Sequence, residues 1–157
     1  MLDAAHKRTD LRLVFLWRGL HLAEMEREVA QRGLGGRVTV VNRVVDVSEA
    51  LAQAHAAVVL ASSPRLVKAF PHSLLEALAS GRPVLVSRAI PMASYVEQNG
   101  CGQVVDAVHA DAVLQSLALL EADYTRYRTA ALRVGPDLDE RAFVAAYRRL
   151  YDSIDQG

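Results

Sequence analysis

The sequence predicts an α/β fold: a parallel, doubly wound sheet followed by a C-terminal helical segment. Short runs of β-branched and aromatic residues alternate with helical patterns through the first two thirds of the chain. The run AAVVLAS (Ala56–Ser62) is apolar up to its final serine, as expected of a strand that is buried on both faces. Strands separated by helices imply right-handed βαβ crossovers, which build a parallel, Rossmann-like sheet.

Four of the predicted helices have a local signal at their start or end. The apolar residues of Leu20–Arg32 recur three and four positions apart, and the GLGG run ends this helix because glycine tolerates a left-handed cap. Asp46 is a predicted N-cap, with Glu49 at the spacing of a capping box. Pro71 and Pro91 fit the first turns of two further helices. The predicted strands are Leu11–Trp17, Arg37–Asn42, Ala56–Ser62, Pro83–Ser87 and Gly102–Asp106. The predicted helices are Leu20–Arg32, Asp46–Ala54, Pro71–Ser80, Pro91–Asn99, Ala110–Glu121, Tyr124–Val134 and Asp139–Ile154.

Length and composition indicate one soluble domain. The 157 residues, 52% hydrophobic and 23% charged, suit a single domain over 1–157, with its C-terminal helices in 110–157. Basic and acidic residues both number 18, so no net field favours nucleic acid as a partner. The single cysteine, Cys101, excludes a disulfide framework and a Cys-rich metal site, as in a reducing compartment. Neither a signal-peptide pattern nor an apolar run of ~18 residues occurs, so we expect a cytoplasmic protein.

Three loops are predicted to meet at one edge of the sheet. In doubly wound folds ligands bind beyond the carboxyl ends of the strands, where helix N-termini face the crevice. Asn42–Val44, Ser62–Ser73 and Ser87–Pro91 all follow predicted strands. This edge is therefore the expected ligand-binding side.

The helix that follows Ser62–Ser73 offers an anion site. Unsatisfied N–H groups and the helix dipole at such a start favour phosphate. Glu76 comes one turn later, and its carboxylate can accept two hydrogen bonds from a ribose diol. Alternatively, the helix merely packs, and Glu76 points to solvent or caps its own first turn. The unsatisfied N–H groups at this helix start belong to His72, Ser73, Leu74 and Leu75.

The loop Ser62–Phe70 is long for a connection between a strand and a helix, and long loops at a ligand edge are often functional. Arg65 and Lys68 can supply cations to a diphosphate, or they are simply surface charges. His72 can donate to a ligand oxygen. The remaining histidines show no metal spacing, and motifs such as HExxH, the Walker loop, GxSxG and GxGxxG are absent.

The central segment, KAFPHSLLEALASGRPVLVS with its downstream YVEQNGCGQVVDA, resembles a known family. It is similar to the nucleotide-sugar-binding, C-terminal half of a GT-B glycosyltransferase of group 1, the retaining family often called family 4. That family typically reads E-x-F-G-x-x-x-x-E-A-x-A-x-G-x-P-V, followed by G-x-x-E-x-V and G-x-L-V. The resemblance covers nearly the whole chain from about residue 11. The matching residues are Phe70, Glu76, Ala77, Ala79, Gly81, Pro83, Val84, Glu97 and Gly102.

The resemblance implies a donor site. Glu76 matches the second glutamate of the family's pair, which hydrogen-bonds the ribose hydroxyls. The amides of Ser73–Leu75 would hold the diphosphate, and Arg43 and Val44 would lie beside the base. Such enzymes need no metal for the diphosphate, so neither a metal nor a further cofactor is expected.

Three departures from the family pattern stand out. Lys68 replaces the first glutamate, and Phe70-Pro71 replaces Phe-Gly, which removes one backbone donor. The family's first strand of this half, with its phosphate-binding Arg and Lys, has no counterpart, nor has the acceptor-binding domain. The missing strand also leaves a gap that a second copy of the chain can fill, which predicts a homodimer.

The resemblance therefore predicts the donor-binding domain of an enzyme that transfers a sugar from a nucleotide-diphosphate sugar. Its acceptor, a sugar or a lipid-linked sugar, would bind the missing domain, and the full-length protein would be cytoplasmic or peripheral to a membrane. The isolated chain is expected to be inactive. The alternative is a non-catalytic, Rossmann-like module that binds a nucleotide or a protein.

Overall fold

A computed structural model of the chain describes residues 1–17, 20–138 and 140–155. The strands are β1 (Leu13–Leu16), β2 (Val38–Val41), β3 (Ala57–Val59), β4 (Val84–Ser87) and β5 (Gly102–Val105). The helices are α1 (Leu2–Lys7), α2 (Leu22–Gln31), α3 (Val47–Gln53), α4 (His72–Ala79), α5 (Ala93–Asn99), α6 (Ala110–Ala122), α7 (Tyr124–Val134) and α8 (Glu140–Asp155). Short 3₁₀ turns lie at Pro64–Leu66 and Gly135–Leu138. None of the described helices is long and apolar enough to span a bilayer.

The order of strands and helices predicted from the sequence is confirmed, while most elements are shorter than predicted. Asp46 is the N-cap of α3 as expected, since its carboxylate accepts a hydrogen bond from the Ser48 amide at 2.8 Å. Helix α1 and the two 3₁₀ turns were not predicted. Asp139, the predicted first residue of the last helix, lies outside the described residues.

Both prolines predicted to open helices precede them instead. Pro71 is the N-cap of α4, with an extended backbone (φ −65°, ψ 125°) that the proline ring permits. Pro91 comes before Met92, the N-cap of α5. A turn formed by a hydrogen bond of 2.8 Å from the Ala93 amide to the Ile90 carbonyl places Pro91 outside that helix.

The strands form two parallel sheets, whereas the sequence predicted one. β1 pairs with β2, Leu13 lying opposite Val38, and the second sheet has the order β3-β4-β5. The amides of Leu13 and Trp17 donate to the β2 side of their sheet. Because a parallel strand alternates its hydrogen-bonding direction, the amides of Val14 and Leu16 face the opposite edge. No described strand pairs with that edge.

Strand β3 is also less buried than predicted. The sequence indicated burial on both faces, yet Ala57, Val58 and Val59 are each only partly buried, in contrast to the fully buried β4. The reason is that β3 pairs only with β4 among the described strands, so its other edge lacks the neighbour that a central strand would have.

Helix α1 joins the two sheets. Its Ala4 packs into a cluster with Leu85 of β4 and Val105 of β5, and its Ala5 packs into another with Val38 of β2. Leu11 contacts both clusters. Ala4 and Ala5 are both fully buried, so the close packing of α1 against the two clusters requires small side chains.

The largest core lies on the opposite face of the three-stranded sheet. There α4 contributes Leu74, Ala77 and Leu78, all fully buried, against Val84 and Val86. Helices α3, α5 and α7 complete this layer around α4. The start of α4 is thereby fixed relative to the carboxyl ends of β3 and β4.

Gly102 allows β5 to lie against β4. A Cβ atom at this position would collide with the Val84 carbonyl oxygen and lie 2.8 Å from Val84 Cγ2. Because Val84 is in the buried strand β4 and its carbonyl is backbone, neither group can move cheaply. We expect Gly102→Ala to lower the free energy of unfolding by about 1–3 kcal/mol, measured by urea denaturation.

Gly36→Ala is the matched control, because a Cβ there would meet no atom within 4 Å. Its free energy of unfolding should be unchanged or higher by up to ~1 kcal/mol. Equal stability of the Gly102→Ala variant and the parent protein would contradict the packing described for β4 and β5.

Candidate functional site

The predicted site residues lie on loops at the carboxyl ends of β2 and β3 and at the start of α4. Lys68, His72, Ser73 and Glu76 belong to one continuous loop-and-helix segment after β3. Arg43 and its neighbour in sequence, Val44, follow β2 in the other sheet and lead into α3, which packs against α4. His72, Ser73 and Glu76 thus lie on α4, with Lys68 in the loop before it, while Arg43 and Val44 lie in the loop before α3.

The start of α4 presents two amides without a hydrogen-bond acceptor. Pro71, the N-cap, provides no side-chain cap, and its carbonyl accepts from Leu74 at 3.0 Å and from Leu75 at 3.2 Å. Among the described residues, the amides of His72 and Ser73 have no acceptor. Of the amides predicted to hold phosphate, His72 and Ser73 are therefore available, whereas Leu74 and Leu75 are already used within the helix.

The Glu76 carboxylate is exposed on the outer face of α4. Leu74, Ala77 and Leu78 on the inner face are buried, so the helix leaves Glu76 at the surface. No described residue forms a hydrogen bond or an ion pair with its carboxylate. The capping of its own first turn is thus not seen, and both carboxylate oxygens are available to a ligand.

The cations of this edge are also unpaired. Arg43, Arg65 and Lys68 are exposed, and none forms an ion pair with another described residue. Val44 is 83% exposed, which leaves its backbone and side chain open for a planar ligand. Exposed, unpaired cations and free amides both attract anionic ligands.

Ser87, which the sequence did not single out, anchors the loop after β3. Its hydroxyl accepts from the Ala61 amide and donates to the Ala61 carbonyl, both at 2.8 Å. Ser87 and Ala61 are buried, so these bonds satisfy two backbone groups that lie just past the end of β3. A serine that ends a wholly apolar strand is the only signal the sequence offered.

The loop after β4 is held by an ion-pair network. The Arg88 guanidinium donates to Glu97 at 2.6 Å and to Asp106 at 2.9 Å. These carboxylates hold the pKa of Arg88 above its usual value, and Arg88 holds the pKa of Glu97 below its own. The positive charge of Arg88 is consequently balanced by two carboxylates, whereas Arg43 and Lys68 have no ion-pair partner among the described residues.

Metal ligands are not grouped in the described part of the chain: no three His, Cys, Asp or Glu side chains lie together as a metal site would need. Cys101 is buried, and this burial raises the pKa of its thiol to about 11. The thiol is therefore protonated at neutral pH and suited neither to nucleophilic chemistry nor to metal binding.

The chain matches a family model over most of its length. The family described as glycosyl transferases group 1 matches residues 1–133. No curated protein sequence matches the chain significantly.

Solved structures share the fold. Anabaena Alr3699/HepE, solved with UDP and glucose, superposes with a TM-score of 0.77 at 16% identity, over 99% of this chain and 44% of that one. Sucrose-phosphate synthase from Thermosynechococcus elongatus gives 0.70 at 19% identity, over 99% and 49%. AviGT4, a glycosyltransferase involved in avilamycin A biosynthesis, gives 0.59 at 25% identity, over 94% and 45%. The chain thus spans less than half the length of these structures.

Removal of the Ser87 hydroxyl should loosen the loop that leads to α4. Ser87→Ala leaves the buried amide and carbonyl of Ala61 without partners, which costs about 1–3 kcal/mol of unfolding free energy. Hydrogen exchange of the Ala61 amide should accelerate as well. Ser94→Ala, on the exposed side of α5, is the control and should stay within about 0.5 kcal/mol of the parent protein. An unchanged exchange rate at Ala61 would show that Ser87 does not hold this loop.

Proposed function

Because the chain belongs to the group 1 glycosyl transferases, we propose that it binds the nucleotide-diphosphate sugar from which such an enzyme transfers its sugar. The observation that carries this proposal is the start of α4, where the unpaired amides of His72 and Ser73 lie one turn ahead of the free Glu76 carboxylate. Amides at a helix start suit a diphosphate, and a carboxylate suits the two hydroxyls of a ribose.

The neighbouring loop residues are proposed to contact the other parts of the nucleotide sugar. Arg43 and Val44 flank the base, and Lys68 with Arg65 faces the diphosphate or the sugar. Once the glycosidic bond breaks, charge grows on the leaving diphosphate, and the amides and cations of this edge stabilise it. This arrangement holds the leaving group without a metal, so we propose that neither a metal nor another cofactor takes part.

UDP is the first nucleotide to test. HepE, which has the same fold, was solved with UDP, with UDP and glucose, and with UDP-glucose. At 16% identity this likeness shows the fold alone, so the base preference of the present chain has to be measured.

Catalysis is proposed to need a second half that binds the acceptor, a sugar or a lipid-linked sugar. The solved relatives are more than twice as long as the part that this chain matches. In the complete enzyme the two halves would close over the donor, with retention of anomeric configuration. We place such an enzyme in the cytoplasm or at a membrane surface. The unpaired edges of β1 and β3 suggest that two copies of the chain can associate.

One observation favours a second candidate, a non-catalytic module that binds a nucleotide or a protein. The sheet is divided between β2-β1 and β3-β4-β5, so the loop of Arg43 and the start of α4 stand on different sheets. A binding module tolerates such a division more easily than an enzyme, because catalysis requires positions fixed within a fraction of an ångström.

The donor-site proposal predicts that one nucleoside diphosphate binds through Glu76. In calorimetric titrations with UDP, GDP and ADP, one nucleotide should bind, and Glu76→Ala should weaken it about ten- to hundred-fold. That range corresponds to the ~1.5–3 kcal/mol of hydrogen bonds to a charged group.

The matched control is Glu26→Ala, which removes an exposed carboxylate from α2, far along the chain from the site. Its affinity should equal that of the parent protein. Binding that is equally strong in the Glu76→Ala variant would refute the ribose role of Glu76. Binding of none of the three nucleotides would leave the protein-binding module as the better candidate.

The isolated chain should not transfer sugar. Incubation with nucleotide sugars and a panel of sugar and lipid-linked acceptors should yield no product above the buffer control, because acceptor binding is proposed to belong to a second half of the enzyme. Robust turnover by the isolated chain would overturn the assignment of acceptor binding to a second half.

A further inference from the structure

The loop that leads to α4 is cationic and lacks acidic residues. Over residues 54–75 the charged side chains are those of Arg65 and Lys68, and the sequence places no carboxylate or carboxamide there. Both cations are exposed, and neither forms an ion pair with another described residue. A ligand on this loop therefore meets positive charge, hydroxyl groups and histidine, but no carboxylate.

The loops that directly follow the other strands do not supply the missing carboxylate. They carry only two acidic residues, Asp46 after β2 and Asp106 after β5. Asp46 caps α3 by accepting a hydrogen bond from the Ser48 amide at 2.8 Å, and Asp106 accepts one from Arg88 at 2.9 Å. Both acidic side chains are therefore already engaged within the protein.

The local structure of the loop directs Lys68 outward. The Ser63 hydroxyl caps the 3₁₀ turn Pro64–Leu66 by accepting from the Arg65 amide at 3.3 Å. Val67 then has an extended backbone (φ −143°, ψ 152°), and its side chain packs against the main core. Successive side chains of an extended segment point to opposite sides, so Lys68 faces away from that core. Its ammonium group is accordingly presented to a ligand.

The place of Lys68 in the chain relates it to one end of the proposed ligand. In the proposed donor site, Glu76 in the second turn of α4 holds the ribose, and the amides of His72 and Ser73 hold the diphosphate. The nucleotide sugar then runs from the second turn towards the helix start. Its sugar continues beyond that start, and Lys68 precedes His72 by four residues in the loop on that side. Lys68 is therefore at the sugar end.

A cation without a neighbouring carboxylate suits an acidic sugar better than a neutral one. The hydroxyl groups of a neutral sugar need acceptors as well as donors, whereas an ammonium group only donates. A carboxylate on the sugar forms a charge-assisted hydrogen bond with the ammonium group, roughly twice as strong as a neutral one. We propose that the donor is a nucleotide-diphosphate hexuronic acid, a sugar oxidised to a carboxylate at carbon 6, and that Lys68 binds this carboxylate.

This inference rests on the proposed donor site and names the class of sugar that it takes. The other role open to Lys68 is to neutralise the diphosphate. Such a role would strengthen the binding of every nucleotide sugar equally, because all of them share the diphosphate. A role at the sugar carboxylate strengthens the binding of the uronic acid alone. The ratio of two affinities therefore distinguishes the two roles.

Two pairs of donors that differ only at carbon 6 of the sugar test the proposal. They are UDP-glucose with UDP-glucuronate, and GDP-mannose with GDP-mannuronate. Calorimetric titration of the chain gives a dissociation constant for each of the four. In the pair whose nucleotide binds, the uronic acid should bind about ten- to hundred-fold more tightly than the neutral sugar, as expected of a hydrogen bond to a charged group. Added salt should reduce this preference, because the loop is exposed.

Substitutions of Lys68 should change the preference in a graded way. Lys68→Arg keeps the charge and should retain the preference for the uronic acid. Lys68→Met removes the charge and should bring the ratio of the two affinities close to one. Lys68→Glu should reverse the preference, because its carboxylate repels the uronic acid and accepts hydrogen bonds from hydroxyl groups. Any contribution of Lys68 to the diphosphate cancels in each ratio.

The matched control is Arg12→Met, which removes another exposed cation that has no ion pair among the described residues. Arg12 precedes β1, so it lies at the opposite ends of the strands from the proposed site. This variant should keep the ratio of the parent chain. Circular dichroism and urea denaturation verify that each variant is folded.

Three results would overturn the proposal. If the parent chain binds the neutral sugar as tightly as the uronic acid, Lys68 does not recognise a carboxylate, and the donor site itself stands. A preference that persists in Lys68→Met would show that another group binds the carboxylate. If none of the four donors binds, the donor site fails together with this inference, and that result is distinct from binding without preference.

Discussion

The packing of α1 between the two sheets is the contact on which the rest of the structure depends. Ala4 faces the core of the three-stranded sheet and Ala5 faces that of the two-stranded sheet, and both are fully buried. Arg37, at the start of β2, donates to the Ala5 carbonyl at 2.6 Å and to the Arg8 carbonyl at 3.0 Å, so α1 is also tied to β2. Since no described strand pairs β1 with β3, this short helix sets the relation between the two sheets.

That constraint extends to the candidate site. The end of the candidate site proposed for the diphosphate, around His72, is fixed by the packing of α4 on β3 and β4, whereas the end proposed for the base, at Arg43, follows β2. The distance between the two ends therefore depends on α1 and on the α3–α4 contact, not on continuous strand pairing. Side-chain packing of this kind is deformed more easily than the backbone hydrogen bonds between paired strands. The loop of Arg43 is consequently held less directly than the start of α4.

The sequence predicted what depends on local pattern and missed what depends on tertiary contacts. All five strands were located because β-branched runs between glycine, proline and helical stretches are local features. Helix α1 has only six residues, too few for a helical period to show, and its role comes from alanines that fit a narrow space. The link between Ser87 and Ala61 joins residues 26 positions apart, so no local pattern indicates it. At α4 the residues were identified, but which amides remain free depends on the bonds that Pro71 accepts.

The distribution of burial separates the parts that stabilise this domain from the parts left open to ligands. Leu74, Leu78, Val84 and Val86 are fully enclosed, so the layer of α4 on the second sheet makes the main apolar contribution to stability. The side chains of Arg43, Arg65, Lys68 and Glu76 contribute little, because each is exposed. Substitutions at these positions therefore affect binding more than folding. This separation allows the proposed donor site to be tested by substitution while the domain stays folded.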